Sequence, residues 1–343
     1  MAIIKLFLTN IYSLLYRVTF KNKTVVLLGN PYGDISGHIK CCYYILKSAD
    51  FCDIYIINNK GKSKKESNKY SLKTIIYTHN PTSDIFPIIP NGVRKINIWH
   101  GMPIKTIGYD SEIEKKWIDN KSKNNLSPYL VNDLLIVNSK YWVDYFSKCW
   151  KFPKNKILPL GSIVSAYLNE YKVKLISELN NTFLNHENYI IFAPTFRNDG
   201  SDYQYINKTI SLFSKLPQYN FIVKLHPKVN VTFNKNYKNI ISPNNFDLFD
   251  LFLIGDLLIT DYSSVFYEYL SVQSNCILFQ PDKDEYERIN GKLNLLENHL
   301  GISFARNELE LKNKIDYLMN DLKVEKKYIN RKFDIVTFIN NIG

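Results

Sequence analysis

The sequence predicts an α/β protein made of two doubly wound units with parallel sheets. Three observations predict it. Short apolar runs rich in β-branched residues recur along the 343 residues in two series. Stretches with helical spacing lie between many of these runs. A break around Pro159 and Gly161 separates the two series. Strands that are apolar on both faces and alternate with helices belong to sheets covered on both sides, because neither face then meets water.

Taken in chain order, the first segment is a helix. Ile3, Ile4, Leu6, Phe7, Leu8, Ile11, Leu14, Leu15, Val18 and Phe20 are apolar, while Lys5, Thr9, Ser13 and Arg17 recur every four residues as a drifting polar stripe. Lys21 and Lys23 follow, and no acidic residue precedes Asp34. The polar interruptions argue against a spanning helix, which needs about 20 apolar residues. No small-residue cleavage site marks a signal peptide. Two readings stay open: an interfacial helix on anionic lipid, or a helix packed on the protein.

The first strand series is Thr24–Gly29, Asp53–Asn58, Lys73–Thr78, Arg94–His100 and Asp133–Asn138. The second is Tyr189–Thr195, Asn220–His226, Asn239–Ser242, Asp256–Thr260 and Cys276–Phe279. Ser36–Lys47, Tyr141–Trp150 and Val265–Val272 carry helical spacing between them. Asn59–Ser71, with five lysines and one glutamate and no apolar period, reads as a solvated loop. Leu309–Asp321 and the chain onward to Ile342 read as helical, crossing back over the first domain. The expected division is 1–22, an N-terminal amphipathic helix; 23–160, a first Rossmann-like domain; 161–325, a second; and 326–343, a terminal helical segment.

Composition narrows the partners. A net charge of +12 favours anions. The aromatic residues sit inside apolar runs, with no ladder alternating with arginine, so nucleic acid is not an expected partner. Five cysteines, none in a CxxC pair, indicate buried free thiols and a reducing compartment. Neither GxGxxG nor GxxxxGK[ST] occurs. HExxH, clustered Cys/His and a strand-exit DxD are also missing, so no metal site is evident; a divalent cation screening phosphates through waters stays open.

Four stretches leave strands at the end where open α/β sheets hold ligands. WHGMPIKTIGYD, residues 99–110, presents His100 and Gly101, with Lys105 and Asp110 in the following loop. A neutral imidazole there can take a proton from a hydroxyl. IIFAPTFRND, residues 190–199, presents Thr195 and Arg197, and a guanidinium suits a phosphate. FIVKLHP, residues 221–227, repeats the plan of the first, exiting on His226. DLLITDYSSVFYEYL, residues 256–270, places Thr260, Asp261, Ser263 and Ser264 before a helix, where serines cap and N–H groups attract anions. Each stretch alone has an ordinary explanation: a turn histidine, a surface salt bridge, a helix cap. Two histidines in matching positions on two domains are harder to dismiss, and both rings would point into one interdomain cleft if the strand ends face each other.

The ordered set HGxPxKxxGxD, APTxR, a strand ending in HP, and TDYSS before a helix resembles the CDP-glycerol glycerophosphotransferase family, over about residues 24–300. Met102 stands where the family pattern often has Thr, a departure at a position expected to affect acceptor contacts. The resemblance implies a GT-B-like fold with an interdomain active site. It implies an enzyme that moves a glycerol-phosphate or other polyol-phosphate unit from CDP-glycerol or CDP-ribitol to a hydroxyl of a lipid-linked saccharide or growing polymer. CMP is released, as in teichoic-acid-like or capsular polymer synthesis. It also implies a cytoplasmic protein, peripheral on the inner face of the cell membrane. His100 is then the general base and His226 binds or protonates the departing phosphate. Arg197, Ser263 and Ser264 cradle the pyrophosphate, joined by Thr195, Thr260 and Asp261, while Gly101, Lys105 and Asp110 shape the acceptor side. The alternatives are a nucleotide-sugar glycosyltransferase of GT-B fold and a non-catalytic, membrane-docked polymer-binding protein.

Overall fold

The computed structural model describes residues 25–30, 35–50, 53–58, 72–79, 92–121, 127–183, 188–197, 200–226, 229, 237–243, 245–294, 302–321 and 333–342. The expected helix over 1–22, the loop 59–71 and Cys52 lie outside them. The chain divides into two compact units. One comprises Met1–Met102, Ile107–Tyr167 and Lys332–Gly343; the other comprises Pro103–Thr106 and Leu168–Arg331.

The first unit holds strands β1 (Val25–Asn30), β2 (Asp53–Asn58), β3 (Leu72–Tyr77), β4 (Arg94–Asn97), β5 (Leu134–Val137) and β6 (Ile157–Pro159). They form one sheet in the order β2-β1-β3-β4-β5-β6, and every pairing is parallel. β5 reads LLIV and is buried along its whole length, as a central parallel strand must be. Helix α1 (Gly37–Ala49) buries Ile39, Cys42 and Leu46 on one stripe, and Cys41 and Ile45 beside it. That spacing is why the segment is helical and which face it packs. α2 (Glu112–Lys121) opens with Glu112 and Glu114, whose charges suit a helix N-terminus. α3 (Lys140–Cys149) buries Trp142, Phe146 and Cys149.

The chain passes between the units within α4 (Ile163–Asn180). The second unit holds β7 (Tyr189–Phe192), α5 (Asp202–Phe213), β8 (Asn220–Val223), β9 (Ile240–Ile241), α6 (Leu248–Leu251), β10 (Gly255–Thr260), α7 (Val265–Tyr269), β11 (Cys276–Phe279), α8 (Lys283–Asn290), β12 (Ile302–Ala305) and α9 (Glu308–Asp321). Its sheet runs β12-β11-β10-β7-β8-β9, again with every pairing parallel. The core of this unit packs Phe192, Phe213 and Phe221 from three elements, with the last two rings stacked 4.1 Å apart. Leu311 and Ile315 of α9 are fully buried in the same cluster.

The last helix, α10 (Ile335–Ile342), belongs to the first unit. The Thr74 hydroxyl on β3 donates to the Ile342 carbonyl at 2.6 Å, and Asp334 N–H donates to Leu160 O at 2.7 Å. The C-terminal region is therefore split: α9 covers the second sheet, and only α10 returns to the first.

Several elements differ from the sequence expectation. β6 and β12 are strands that the two series omit; each is short and joins a sheet margin, where pattern is weak. The run Arg94–His100 is a strand only to Asn97. Trp99 has φ 52, a left-handed conformation that ends the extended chain before His100. Val265–Val272 is helical only to Tyr269.

Candidate active site

In the first sheet the strand order reverses beside β1, so the exit of β3 lies at a topological switch, the place where doubly wound sheets hold ligands. Ile98 N–H donates to Tyr77 O at 2.9 Å, keeping the exits of β3 and β4 side by side. Asn97 is buried at the end of β4. Its Oδ1 accepts from Trp99 N–H at 2.7 Å, and its amide donates to His79 O at 3.4 Å. The indole of Trp99 packs against Trp150 and Phe146, with centroids 4.8 and 6.1 Å away. These contacts hold a backbone conformation that costs about 1–3 kcal/mol for a residue other than glycine.

The turn lays the His100 ring flat on the ring of His79, with centroids 3.9 Å apart and planes 2° from parallel. His100 Nδ1 lies 3.2 Å from Thr78 O. A carbonyl oxygen only accepts, so Nδ1 carries the hydrogen and Nε2 keeps its lone pair. Surrounding protein, and then the neighbouring His79, push the His100 pKa down to about 3, although the residue keeps surface open to solvent. The imidazole is a neutral base at physiological pH. Gly101 follows with φ 128, a region that favours glycine.

The rest of the HGMPIKTIGYD stretch is dispersed. Met102 is 2% exposed, so it fills the core and is not placed to touch an acceptor. Lys105 belongs to the second unit, where its backbone bridges to Leu293 and its Nζ sits 4.9 Å from the Tyr286 ring centroid. Asp110 returns to the first unit, 3.6 Å from Lys148.

In the second sheet β7 has β8 and β9 on one side and β10, β11 and β12 on the other, so the switch falls between β7 and β10. Thr260 Oγ1 donates to Ala193 O at 2.6 Å, and Thr195 N–H donates to Asp261 Oδ1 at 2.8 Å. Tyr262 N–H reaches the same oxygen at 2.6 Å. Arg197 is buried: its Nη2 lies 3.2 Å from Asp261 Oδ2, and its Nε donates to Asp282 Oδ2 at 3.0 Å. The guanidinium also stacks over Tyr205 at 3.9 Å. Burial pushes the Asp261 carboxyl above its ordinary pKa, and the Arg197 charge with the two N–H donors opposes that shift. Burial works against the Arg197 charge, but Asp261 and Asp282 outweigh it and hold the side chain cationic.

This arrangement differs from the one expected for a phosphate cradle. Arg197, Thr195, Thr260 and Asp261 are brought together, but they bond to one another and tie the β7 exit to the β10 exit. Ser263 and Ser264 are half-buried beside them; Ser263 Oγ accepts from Val265 N–H at 3.3 Å, and Ser264 precedes α7 without a side-chain cap. α7 has only five residues, which limits its dipole. His226 follows β8, half-buried, with its ring 5.0 Å from that of Phe196.

Three participants escaped the sequence reading. Asp282 is 85 residues from Arg197, and no local pattern announces it. Asn97 looks like an ordinary strand residue. His79 had a signal: THNP follows an apolar strand as HGMP does, with a histidine at the exit and a proline two or three residues on. Among the described residues no group of three or more His, Cys, Asp or Glu is placed to hold a metal ion.

Two doubly wound units, each with polar side chains at the strand exits of its switch, define a GT-B-like α/β protein. The chain belongs to the CDP-Glycerol:Poly(glycerophosphate) glycerophosphotransferase family, whose model matches residues 46–337. It is 29% identical over 213 residues to a teichoic acid glycerol-phosphate primase of Bacillus subtilis, covering 60% of this chain and 54% of that one. It is 25% identical over 321 residues to a teichoic acid poly(glycerol phosphate) polymerase of Bacillus spizizenii, covering 81% and 80%. The chain thus spans about half the length of the first of these relatives and most of the second. The solved wall teichoic acid polymerase TagF shares the fold at TM-score 0.73 and 18% identity, over 97% of this chain and 91% of that one. TagF has also been solved as histidine variants, one of them with CDPG. The UDP-GlcNAc 2-epimerase of Neisseria meningitidis shares the fold more distantly, at TM-score 0.57 and 12% identity, over 93% and 100%.

Proposed function

We propose that this chain transfers a polyol-phosphate unit from a CDP-alcohol to an acceptor hydroxyl. The hydroxyl oxygen attacks the phosphorus bearing the polyol, forming one P–O bond while the bond to CMP breaks. The hydroxyl proton passes to Nε2 of His100, and the electron pair leaves with CMP. His226 binds or protonates that departing phosphate, with Ser263 and Ser264 contributing hydroxyls. Arg197, Thr195, Thr260 and Asp261 act behind them by holding the β7 and β10 exits in place. The observation that carries the reading is the family match, in which the bare, neutral Nε2 of His100 falls within the matched residues. An imidazole with a depressed pKa is a weak base in isolation. An anionic donor beside it favours the protonated form and raises its basicity when substrate is present.

The acceptor we propose is a lipid-linked saccharide or polymer at the cytoplasmic membrane surface. The net charge of +12 and the apolar, basic residues 1–22 support a peripheral contact with anionic lipid. Incubation with CDP-glycerol, CDP-ribitol and nucleotide sugars tests the reaction. Release of CMP with a polyol-phosphate product supports it; release of a nucleoside diphosphate would instead make the chain a glycosyltransferase, and no turnover with any donor would leave a binding protein. Deletion of residues 1–22 should reduce sedimentation with anionic vesicles; unchanged binding overturns the membrane contact.

A further inference from the structure

Two imidazoles are fixed at the exits of β3 and β4 through one residue. Thr78 O faces His100 Nδ1 at 3.2 Å, while Thr78 Oγ1 lies 2.8 Å from His79 Nδ1. The rings stack at 3.9 Å and 2°, so the plane of one sets the plane of the other. Asn97 binds the backbone on both sides of the pair, at His79 O and at Trp99 N–H. Trp99 lies against both rings, at 6.4 Å from His79 and 4.1 Å from His100.

From this geometry we propose that His79 is a positioning residue for the reaction. Its ring holds the His100 imidazole in the plane where Nδ1–H meets Thr78 O, and so keeps Nε2 the bare nitrogen. The inference rests on the transferase reading for its catalytic meaning, but its structural content does not. Without the stack, rotation about the His100 side-chain bonds breaks the bond to Thr78 O, and both tautomers become populated. A base with the wrong nitrogen protonated cannot accept the acceptor proton. His79 also acts on charge. A second proton so close is repelled, so His79 favours the neutral form of His100. His38, on α1, acts in the same direction, and the Thr78 carbonyl opposes both.

The test uses the full chain with 15N-labelled histidine. Nitrogen chemical shifts of His100, assigned by its loss in His100→Asn, report the tautomer, and a pH titration reports the protonation midpoint. The variants are His79→Ala, which removes the ring, and His79→Phe, which keeps an aromatic face without a charge. In the native chain His100 should show a protonated Nδ1. In His79→Ala its shifts should move toward mixed tautomers and its midpoint should rise toward 6.5, the ordinary histidine value. In His79→Phe the tautomer should persist. Where CDP-polyol turnover is present, His79→Ala should lower kcat on the order of tenfold to a hundredfold with donor KM little changed. Unchanged His100 shifts in His79→Ala overturn the inference, as does equal loss of the tautomer in His79→Phe. Absence of turnover by the native chain defeats the transferase reading alone, because the nitrogen shifts decide the role of His79 without any substrate.

Discussion

The chemistry of the first unit depends on one ring. His100→Ala should lower kcat by about 10²–10⁴ while donor binding measured by calorimetry stays largely intact, since a positioned base contributes roughly that much. Full activity of the purified variant would remove the base assignment. The same ring has a stability signature. Its folded pKa of about 3 lies below the ordinary 6.5, so on acidification the unfolded chain takes up the proton first. The contribution of neutral His100 is complete above about pH 6.5 and is lost as pH falls toward the folded value. Urea denaturation at pH 7.5 and pH 5 should therefore show a larger acid loss for the native chain than for His100→Asn; equal losses count against the depressed pKa. Arg197 behaves differently. Arg197→Met leaves the Asp261 carboxylate buried without its cation and should cost about 3–5 kcal/mol in urea denaturation. A cost below about 1 kcal/mol would place that residue outside the structural role its bonds describe. The sequence exposed His100 and Arg197 as candidates because their neighbours in the chain form patterns. It did not expose that Arg197 is already claimed by two carboxylates, because those partners come from other strand exits.

At the level of elements, the strands were legible and only some of their ends were. Hydrophobic runs placed β2 and β11 to the residue, because an unbroken apolar segment has one economical home in a covered sheet. The end of β4 depended on Trp99 adopting φ 52, which nothing in IWHGM requires. That conformation is imposed by Asn97 and by the aromatic packing around the indole. Gly108 shows the same kind of constraint. It has φ 61, and a Cβ there would overlap the Cys149 carbonyl oxygen and come within 2.8 Å of Trp150 Cδ1. Gly108→Ala should destabilise the first unit by more than about 1 kcal/mol, because both the backbone conformation and the contact with main chain are unfavourable. Gly255→Ala meets the buried side chain of Ile191 rather than main chain and has no left-handed backbone to strain, so it should cost less when the two variants are compared by thermal denaturation. The reverse order would contradict the contacts described.

The two units draw on distant parts of the chain. α10 closes the first unit from residues far beyond the second, with Phe338 and Ile342 fully buried and Thr74 bonded to Ile342 O across 268 positions. Phe338→Ala should cost about 3–5 kcal/mol, the usual loss for a buried aromatic ring. Limited proteolysis should then cut the first unit before the second; simultaneous loss of both would mean that the units unfold as one. The sequence by itself determined the α/β class, the two strand series and the order of the four motifs, because periodicity and motif spacing are properties of neighbours along the chain. Tertiary structure alone decided that Lys105 belongs to the second unit, that Asp261 and Asp282 neutralise Arg197, and that His79 lies flat on His100. Those outcomes depend on which strand exits become neighbours and on which buried charges must find partners there. Long-range pairing satisfies both demands, and local sequence does not encode it.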